Sequence, residues 1–475
     1  MRTFDSGVLG GLGFIHFANY PEAIVTPTRK QLLDLIVEPD DAYSRSPAQL
    51  AAPQLQAAQE LFEERCRQIP LLRRRAEEAG ITAIRRLDDL VPLLFAHTVY
   101  KSYPGSFIEQ GRWDRMLVWL DTLSVADTTD VDVAGVTDVD QWIERLWRSG
   151  HRVIATSGSS GKCSFLNQTN ADYAMKVRHF RNTVGWPYVR ASRDRPVFWL
   201  GPMQGPNSAI EAAQISAENW GRPGHVHALT DEPLRISEVS RMAAMRRKMA
   251  DGTASPQEIS EMEAEARAKA HQQVAALRNL ADTILAHRHE PIYLTGMWAQ
   301  HLVIIQRARE LGIGDGEFHP QTVIGAGGGI KGISLPPDYK EQVARFYGNV
   351  IRPAAYGMTE MMQLMPRCEA GRYHRAPGLI MLVLDRAGER LLTADDASDG
   401  LAEGRFGFLD LGYEGRWGGL ITGDKVTIDF APNCACGRPG PTLLDDITRW
   451  AQIGEDDHIG CAGTIDAYIR GAVEA

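Results

Sequence analysis

Cysteine is scarce in this chain, six residues in 475, too few for a disulfide scaffold. Any thiols that cluster are therefore read first as metal ligands or structure. No apolar run reaches the roughly 18 residues a membrane helix needs. The opening stretch MRTFDSGVLGGLGFIHFANY is broken by glycines and has Asp5 where an export signal carries basic residues, which argues against secretion. A basic excess is missing too. The formal net charge of −9 excludes a chain-wide footprint for nucleic acid or anionic membrane. With 44% hydrophobic and 23% charged residues, fibrous, collagen-like and wholly disordered chains are excluded as well. What remains is a cytoplasmic, reduced protein long enough for more than one core.

Along the chain, residues 1–150 read mainly helical. Ser46-Pro47 opens a long run at helical spacing, with Pro53 expected to restart it, Pro70 to interrupt it and Gly80 to close it. Arg73, Arg74 and Arg75, followed by Glu77 and Glu78, read as a solvated helix face. Residues 151–365 alternate short apolar strands with helices, as α/β layers do. Within them, the charged segment 241–287 reads as a helical hairpin whose second helix is capped by Ser255 with Pro256 at its first position. Residues 366–457 are richer in strands and form a smaller β-rich subdomain, and 458–475 make a short tail. No internal repeat is evident. The fold class is α/β.

Four segments could carry chemistry. Thr156-Ser157-Gly158-Ser159-Ser160-Gly161-Lys162 follows a short strand and offers hydroxyls, flexible glycines and a lysine to phosphate oxygens; the alternative is a plain Ser/Gly turn. It is not a Walker A loop, because only two residues separate Gly158 from Gly161 and Cys163 replaces the magnesium-binding hydroxyl. The run Gly325 to Gly332 contains G-x-G-x-x-G, but Ile333-Ser334-Leu335-Pro336-Pro337 cannot start the helix a dinucleotide fold needs. Tyr356-Gly357-Met358-Thr359-Glu360 combines an aromatic face, a hydroxyl and a carboxylate suited to Mg²⁺. In Thr422-Gly423-Asp424 the carboxylate could accept from both hydroxyls of a ribose. Taken singly, each could be an ordinary polar turn. The stripe Tyr293 to His301, with Trp298, could line a pocket for an aryl or acyl group or could be core. Cys368 and His374, with Cys434 and Cys436 about 60 residues on, match the donor set of a closed tetrahedral zinc site, which would be structural. Cys66, Cys163 and Cys461 read as bland thiols, with an acyl-cysteine role for Cys163 the less favoured reading.

The order of these segments over about 270 residues resembles the adenylate-forming superfamily of acyl-CoA synthetases. The chain is most similar to the phenylacetate–CoA ligase branch and the acyl-protein synthetases of bacterial bioluminescence. The features that carry this are TSGSSGK, the entry segment IPLLRRRAEEAGITAIRRLDDLVPLLF, the GGG-x-K element at Gly327 to Lys331, and the C-x5-H and C-x-C spacing. The likeness runs from about residue 55 to 460. It implies a large adenylation domain that activates a carboxylic acid with ATP and Mg²⁺ to an acyl-adenylate. Thr156, Ser157, Gly158, Ser159, Ser160, Gly161 and Lys162 would then hold the β- and γ-phosphates. Gly327, Gly328 and Gly329 would line the adenine and carboxylate pocket, with Trp298, His301, Ala355 and Gly357 beside the acid. Tyr356 would stack on adenine, Thr359 would touch the α-phosphate and Glu360 would bind Mg²⁺. Asp424 would hold the ribose with Arg438 or Arg449.

The chain departs from the family at its end. The family follows its hinge with a lid of about a hundred residues bearing a catalytic lysine. Here Gly454 to Ile459 resembles the hinge, about 16 residues follow, and none is lysine. Lys331 is the candidate to replace the lid lysine. The acceptor is left open between CoA, a carrier protein and an amine, and a homodimer is compatible. A nucleotide-binding scaffold without catalysis is the alternative from another class.

Overall fold

The computed structural model describes residues 26–37, 42–156, 162–327 and 334–452, together with Ile459 and Ile469. Ser157 to Gly161, Gly328, Gly329, Lys331 and most of the tail 458–475 lie outside the described residues. The chain is mixed α/β and divides into two compact units: one is Tyr188–Ala354, and the other comprises the described residues on either side of it.

In the Tyr188–Ala354 unit, short near-continuous apolar runs become strands buried by helices, as a parallel sheet requires. Four strands pair in the order Gly221–Thr230, Arg195–Pro202, Tyr293–Met297, Val323–Gly327, all parallel. The chain leaves Arg195–Pro202 for the neighbour on one side, then crosses to Tyr293–Met297 on the other. In such sheets the reversal point opens a crevice at the carboxyl ends of the strands. Trp298 and Gly327 both lie at those ends. The core is built from Phe198, Leu200 and Leu294 of the sheet with Leu280, Ile284 and Phe346 of the helices.

The helical hairpin consists of Ile236–Ala250 and Pro256–Ala286. Ser255 caps the second helix through a capping box with Glu258, and Pro256 occupies its first turn. Three ion pairs zip the two helices together: Arg241–Glu265 at 2.8 Å, Lys248–Glu258 at 2.9 Å and Lys269–Glu238 at 2.7 Å. Buried side chains of the long helix are confined to Leu277 through Leu285.

In the other unit the short helix Pro27–Asp34 precedes the helix Pro47–Gln68, which is capped by Ser46 and Gln49. Pro53 does not restart this helix as expected; it sits inside it. The lost backbone hydrogen bond falls within the first two turns, and the apolar face of Leu50, Ala57, Ala58, Leu61 and Phe62 outweighs it. Pro70 does open a new helix, Pro70–Ala79, which Gly80 closes in the left-handed conformation. The arginine triplet is not uniformly solvated. Arg74 pairs with Glu78 at 2.7 Å on the surface, whereas Arg75 is buried and donates to the carbonyl of Pro92. The main sheet runs Phe95–Ala96, Gly419–Asp429, Leu401–Asp410, Leu379–Leu384. Thr442–Leu443 and Thr448–Arg449 also pair antiparallel with Gly419–Asp429. No helix among the described residues is long and apolar enough to cross a membrane.

Candidate functional site

The strand Gly419–Asp429 is buried through its first four residues and from Thr422 alternates buried and half-buried positions, as a sheet with one covered face does. Asp424 lies on it, 7% exposed. The short strand Thr448–Arg449 aligns Arg449 directly opposite Asp424, and the guanidinium Nε stands 3.3 Å from the carboxylate. On the other side the Tyr356 hydroxyl donates to Asp424 Oδ2 at 2.7 Å. The Asp424 N–H donates to Thr422 Oγ1, whose hydroxyl donates to the Phe406 carbonyl. The carboxylate is therefore held in one orientation by a phenol, a guanidinium and its own turn. Burial, with the Asp424 charge beside it, pushes the Tyr356 phenol well above its usual range, so it stays a donor. The Tyr356 ring meets Phe406 edge-on at 5.2 Å. Ala355 and Gly357, flanking it, are exposed.

Four residues after Tyr356 comes Glu360. Burial raises its carboxyl above the usual range; Arg416 and Arg449 oppose that and Asp424 adds to it. A desolvated carboxyl next to a second one is a group that a cation would relieve. The turn that carries it is fixed by Arg416, which sequence reasoning missed. Arg416 is 2% exposed, donates to the Asn167 carbonyl at 3.0 Å, and donates to the carbonyls of Thr359 and Glu360 at 3.3 and 3.2 Å. Its guanidinium lies 3.5 Å from the centre of the Tyr413 ring. Arg416→Met should keep the bulk but strand these acceptors, costing about 3 kcal/mol in urea unfolding. Loss below about 0.5 kcal/mol would mean the turn holds itself.

Thr156 and Lys162 bracket the hydroxyl-rich segment. Its flanks pair antiparallel, Ile154 with Leu166 and Ala155 with Phe165. Thr156 and Ser164 close the base: the Thr156 N–H donates to the Ser164 carbonyl at 3.0 Å, and the Ser164 N–H donates to Thr156 Oγ1 at 2.9 Å. Tyr103 holds the other end. Lys162 donates to its carbonyl with the ammonium 4.0 Å from its ring centre, and its hydroxyl donates to the Cys163 carbonyl at 2.9 Å. Cys163 is 1% exposed, which does not suit an acyl-carrying thiol.

Trp298 and His301 belong to the Tyr188–Ala354 unit. Trp298 begins the helix Trp298–Glu310 and meets Tyr339 edge-on at 5.3 Å. His301 is a core residue, fully buried, with Nδ1 2.8 Å from the Tyr347 hydroxyl. Burial lowers its imidazole to about 4, and lowers that of His179, equally buried, to about 3. Both rings fold neutral, so below about 6.5 the unfolded chain binds protons the folded chain refuses. Their contribution to stability is full above that pH and is lost as pH falls toward 4. Between pH 6 and 5 each should cost about 1.4 kcal/mol per unit in urea unfolding. His301→Gln should remove its share of that slope; an unchanged slope would contradict the assignment.

Cys368, His374, Cys434 and Cys436 come together, with their ligand atoms all within 4.8 Å of one another. Cys368 Sγ is 3.8 Å from Cys434 Sγ, and Cys436 Sγ is 3.5 Å from His374 Nε2. Tetrahedral bonds of about 2.3 Å to sulfur and 2.05 Å to nitrogen give edges of about 3.8 Å and 3.6 Å, so these spacings fit one zinc ion. A disulfide needs sulfurs about 2.05 Å apart, far closer than this. Burial lowers the His374 imidazole to about 4, which keeps it neutral as a ligand must be.

The backbone shows how the cluster is made. Residues 368–372 read Cys-Glu-Ala-Gly-Arg and 434–438 read Cys-Ala-Cys-Gly-Arg. This is a short internal repeat, contrary to the expectation of none. In each copy the cysteine N–H donates to the arginine carbonyl at 2.8 Å, and the glycine N–H donates to the cysteine carbonyl at 2.9 Å. Each glycine takes a left-handed φ, 74° at Gly371 and 85° at Gly437, which a side chain would strain. Isolated bridges, Arg367 to Tyr373 and Asn433 to Pro439, close the two loops identically. Arg438 is placed here, not beside Asp424. It pairs with Glu369 at 3.1 Å and lies over the Trp186 ring, which meets His374 edge-on.

No protein-family model matches this chain, and no curated protein matches it. Among solved structures, it is similar to an open conformation of 2-hydroxyisobutyryl-CoA ligase in complex with 2-HIB-AMP and CoA, at 15% identity, covering 86% of this chain and 76% of that one with a TM-score of 0.48. It is also similar to a natural red-emitting luciferase from Phrixothrix hirtus, at 12% identity over 86% and 76% of the two chains with a TM-score of 0.33. The luciferase-like enzyme of the nonluminescent mealworm Zophobas morio matches at 9% identity over 62% and 56%, with a TM-score of 0.31. Likeness at this level fixes neither family nor activity.

Proposed function

We propose that this protein activates a carboxylic acid with ATP, forming an acyl-adenylate and pyrophosphate, and passes the acyl group to a thiol or amine acceptor. The observation that carries the reading is the set Tyr356, Asp424 and Arg449. It offers an aromatic face, an oriented carboxylate and a cation, with the Glu360 turn four residues away. A ribose has two adjacent hydroxyls that need an acceptor, and the base above it needs a flat apolar surface. Asp424 and Tyr356 are of the right types for both.

In the first step a carboxylate oxygen of the acid bonds to the α-phosphorus, and the bond from that phosphorus to the pyrophosphate oxygen breaks. Pyrophosphate leaves with the electron pair, and no proton moves. Catalysis then consists of aligning two anions and offsetting charge on phosphorus. Lys162 supplies a cation for the terminal phosphates, and Thr156 a hydroxyl. Magnesium, when bound, supplies further charge neutralisation, and Glu360 is the carboxylate to hold it. In the second step the acceptor bonds to the acyl carbon and AMP departs. Cys368, His374, Cys434 and Cys436 are proposed to hold a structural zinc that ties residues 366–374 to 433–439.

The test is to incubate the protein with Mg-ATP and pooled aryl, amino and fatty acids, without thiol, and to look for acyl-AMP by mass spectrometry. An adduct names the acid. No adduct, and no pyrophosphate–ATP exchange with any pool, would overturn the reading.

A further inference from the structure

The strand Gly221–Thr230 is an edge of its sheet and carries His225 and His227 two residues apart. Side chains two apart on a strand share a face. Over that face ends the helix Pro256–Ala286, whose C-cap residue is His287. The His287 ring lies near both: the ring centres of His225 and His227 are 6.5 and 6.3 Å from its own. We propose that His225, His227 and His287 form a second metal site, distinct from the cysteine cluster, for a divalent transition ion of the zinc class.

Four features point the same way. Three imidazoles are the nitrogen set that zinc-class ions prefer, and on one ion their ring centres stand about 5 Å apart. The observed spacings, 6.3 and 6.5 Å, are wider by about 1.3–1.5 Å, so ion binding would have to draw the rings together. His287 Nδ1 is 2.5 Å from Glu290 Oε1, the carboxylate support that orients a ligating histidine and leaves Nε2 for a metal. His227 Nε2 is buried and has no hydrogen-bond partner, a cost that coordination would remove. The last carbonyls of a 31-residue helix add partial negative charge at His287.

The surroundings set limits on the ion. Phe198 stacks on His227 at 4.8 Å and closes the apolar side. Arg222 brings a positive charge, 3.5 Å from His225 Nδ1, but it is paired to Glu290 at 3.2 Å. The site would be closed on one side by core and half-open on the other, since His225 and His287 are both partly exposed.

Cobalt distinguishes the two clusters, because thiolate ligands give an intense charge-transfer band and imidazoles do not. The full-length protein, with its cysteine cluster already loaded with zinc, is titrated with Co²⁺ at pH 7.5. One further equivalent should bind per chain, with visible absorption but no thiolate band. Glu290→Gln should weaken it by about 10–100-fold. His225→Ala and His287→Ala, both at partly exposed positions, should abolish it without changing the melting temperature. Growth of the thiolate band alone, absence of an extra equivalent, or its survival in both histidine variants would overturn the proposal.

Discussion

Asp424→Asn is expected to slow acyl-adenylate formation by about 10²–10³-fold while leaving the fold and the zinc content unchanged. The carboxylate has one oxygen on the Tyr356 hydroxyl at 2.7 Å and the other beside Arg449 at 3.3 Å. An amide is nearly the same shape, so packing is preserved. Its nitrogen, however, is a donor facing a donor, and the negative charge that accepts from ribose hydroxyls is gone. A hydrogen bond to a charged group contributes about 1.5–3 kcal/mol, and two such bonds reach the stated range. Tyr356→Phe should cost less, about tenfold, because the ring stays and only the hydroxyl that aims the carboxylate is lost. The measurement is pyrophosphate–ATP exchange with the acid found in the pooled assay, with differential scanning calorimetry as the control for folding. If Asp424→Asn keeps more than half the exchange rate at an unchanged melting temperature, the triad is structural and the adenylation reading loses its support.

Glu360 belongs to the same argument through a different route. Its carboxyl is raised by burial and by Asp424, so a share of it is protonated at a pH where an exposed glutamate is ionised. A bound cation would reverse that. Exchange activity should therefore need more Mg²⁺ as the pH is lowered, since protons and metal compete for one carboxylate. Glu360→Gln should remove this pH dependence of the magnesium requirement.

The elements that were legible in the sequence are those set by local chemistry. Ser46 and Ser255 announce helix starts because a side-chain oxygen there satisfies an orphan N–H, wherever the helix later packs. The apolar runs at Tyr293 and Val323 read as strands because both faces of a parallel sheet are buried. The two failures are nonlocal. Pro53 looks like a break until the buried face of its 22-residue helix is known, and Arg75 looks solvated until Pro92 is seen against it. At the candidate site the residue types of Tyr356, Glu360 and Asp424 could be read. The choice between Arg449 and Arg438 could not, because it depends on which short strand pairs with Gly419–Asp429. Arg416 gave no signal, since a lone arginine before Trp417 carries no motif. The Cys-x-x-Gly-Arg repeat stands in the letters at 368–372 and 434–438, and the shared loop geometry gives it its meaning.

Removing metal from the cysteine cluster is expected to produce the largest loss of stability. Among the described residues no strand pairing joins 366–374 to 433–439; the Arg438–Glu369 ion pair at 3.1 Å links them at the surface, and the four ligands would carry the buried part of the connection. Structural zinc in small peptides contributes about 10–16 kcal/mol of apparent binding free energy at neutral pH. In a chain with an existing core only part of that appears as stability, on the order of 5 kcal/mol. The purified protein should carry one zinc per chain by plasma mass spectrometry. Cys368→Ser should lower both the zinc content and the melting temperature, and a strong chelator should do the same reversibly. The thiols should react with a disulfide reagent only after chelation, because a coordinated thiolate is shielded and a disulfide would not react at all. The alternative explanation, two buried thiols and a half-buried one packed by Trp186 and Tyr43, predicts a zinc-free protein with a melting temperature indifferent to chelator. The 3.8 and 3.5 Å spacings match two edges of a zinc tetrahedron but also suit thiol hydrogen bonds, so zinc content and the response to chelator separate the two explanations.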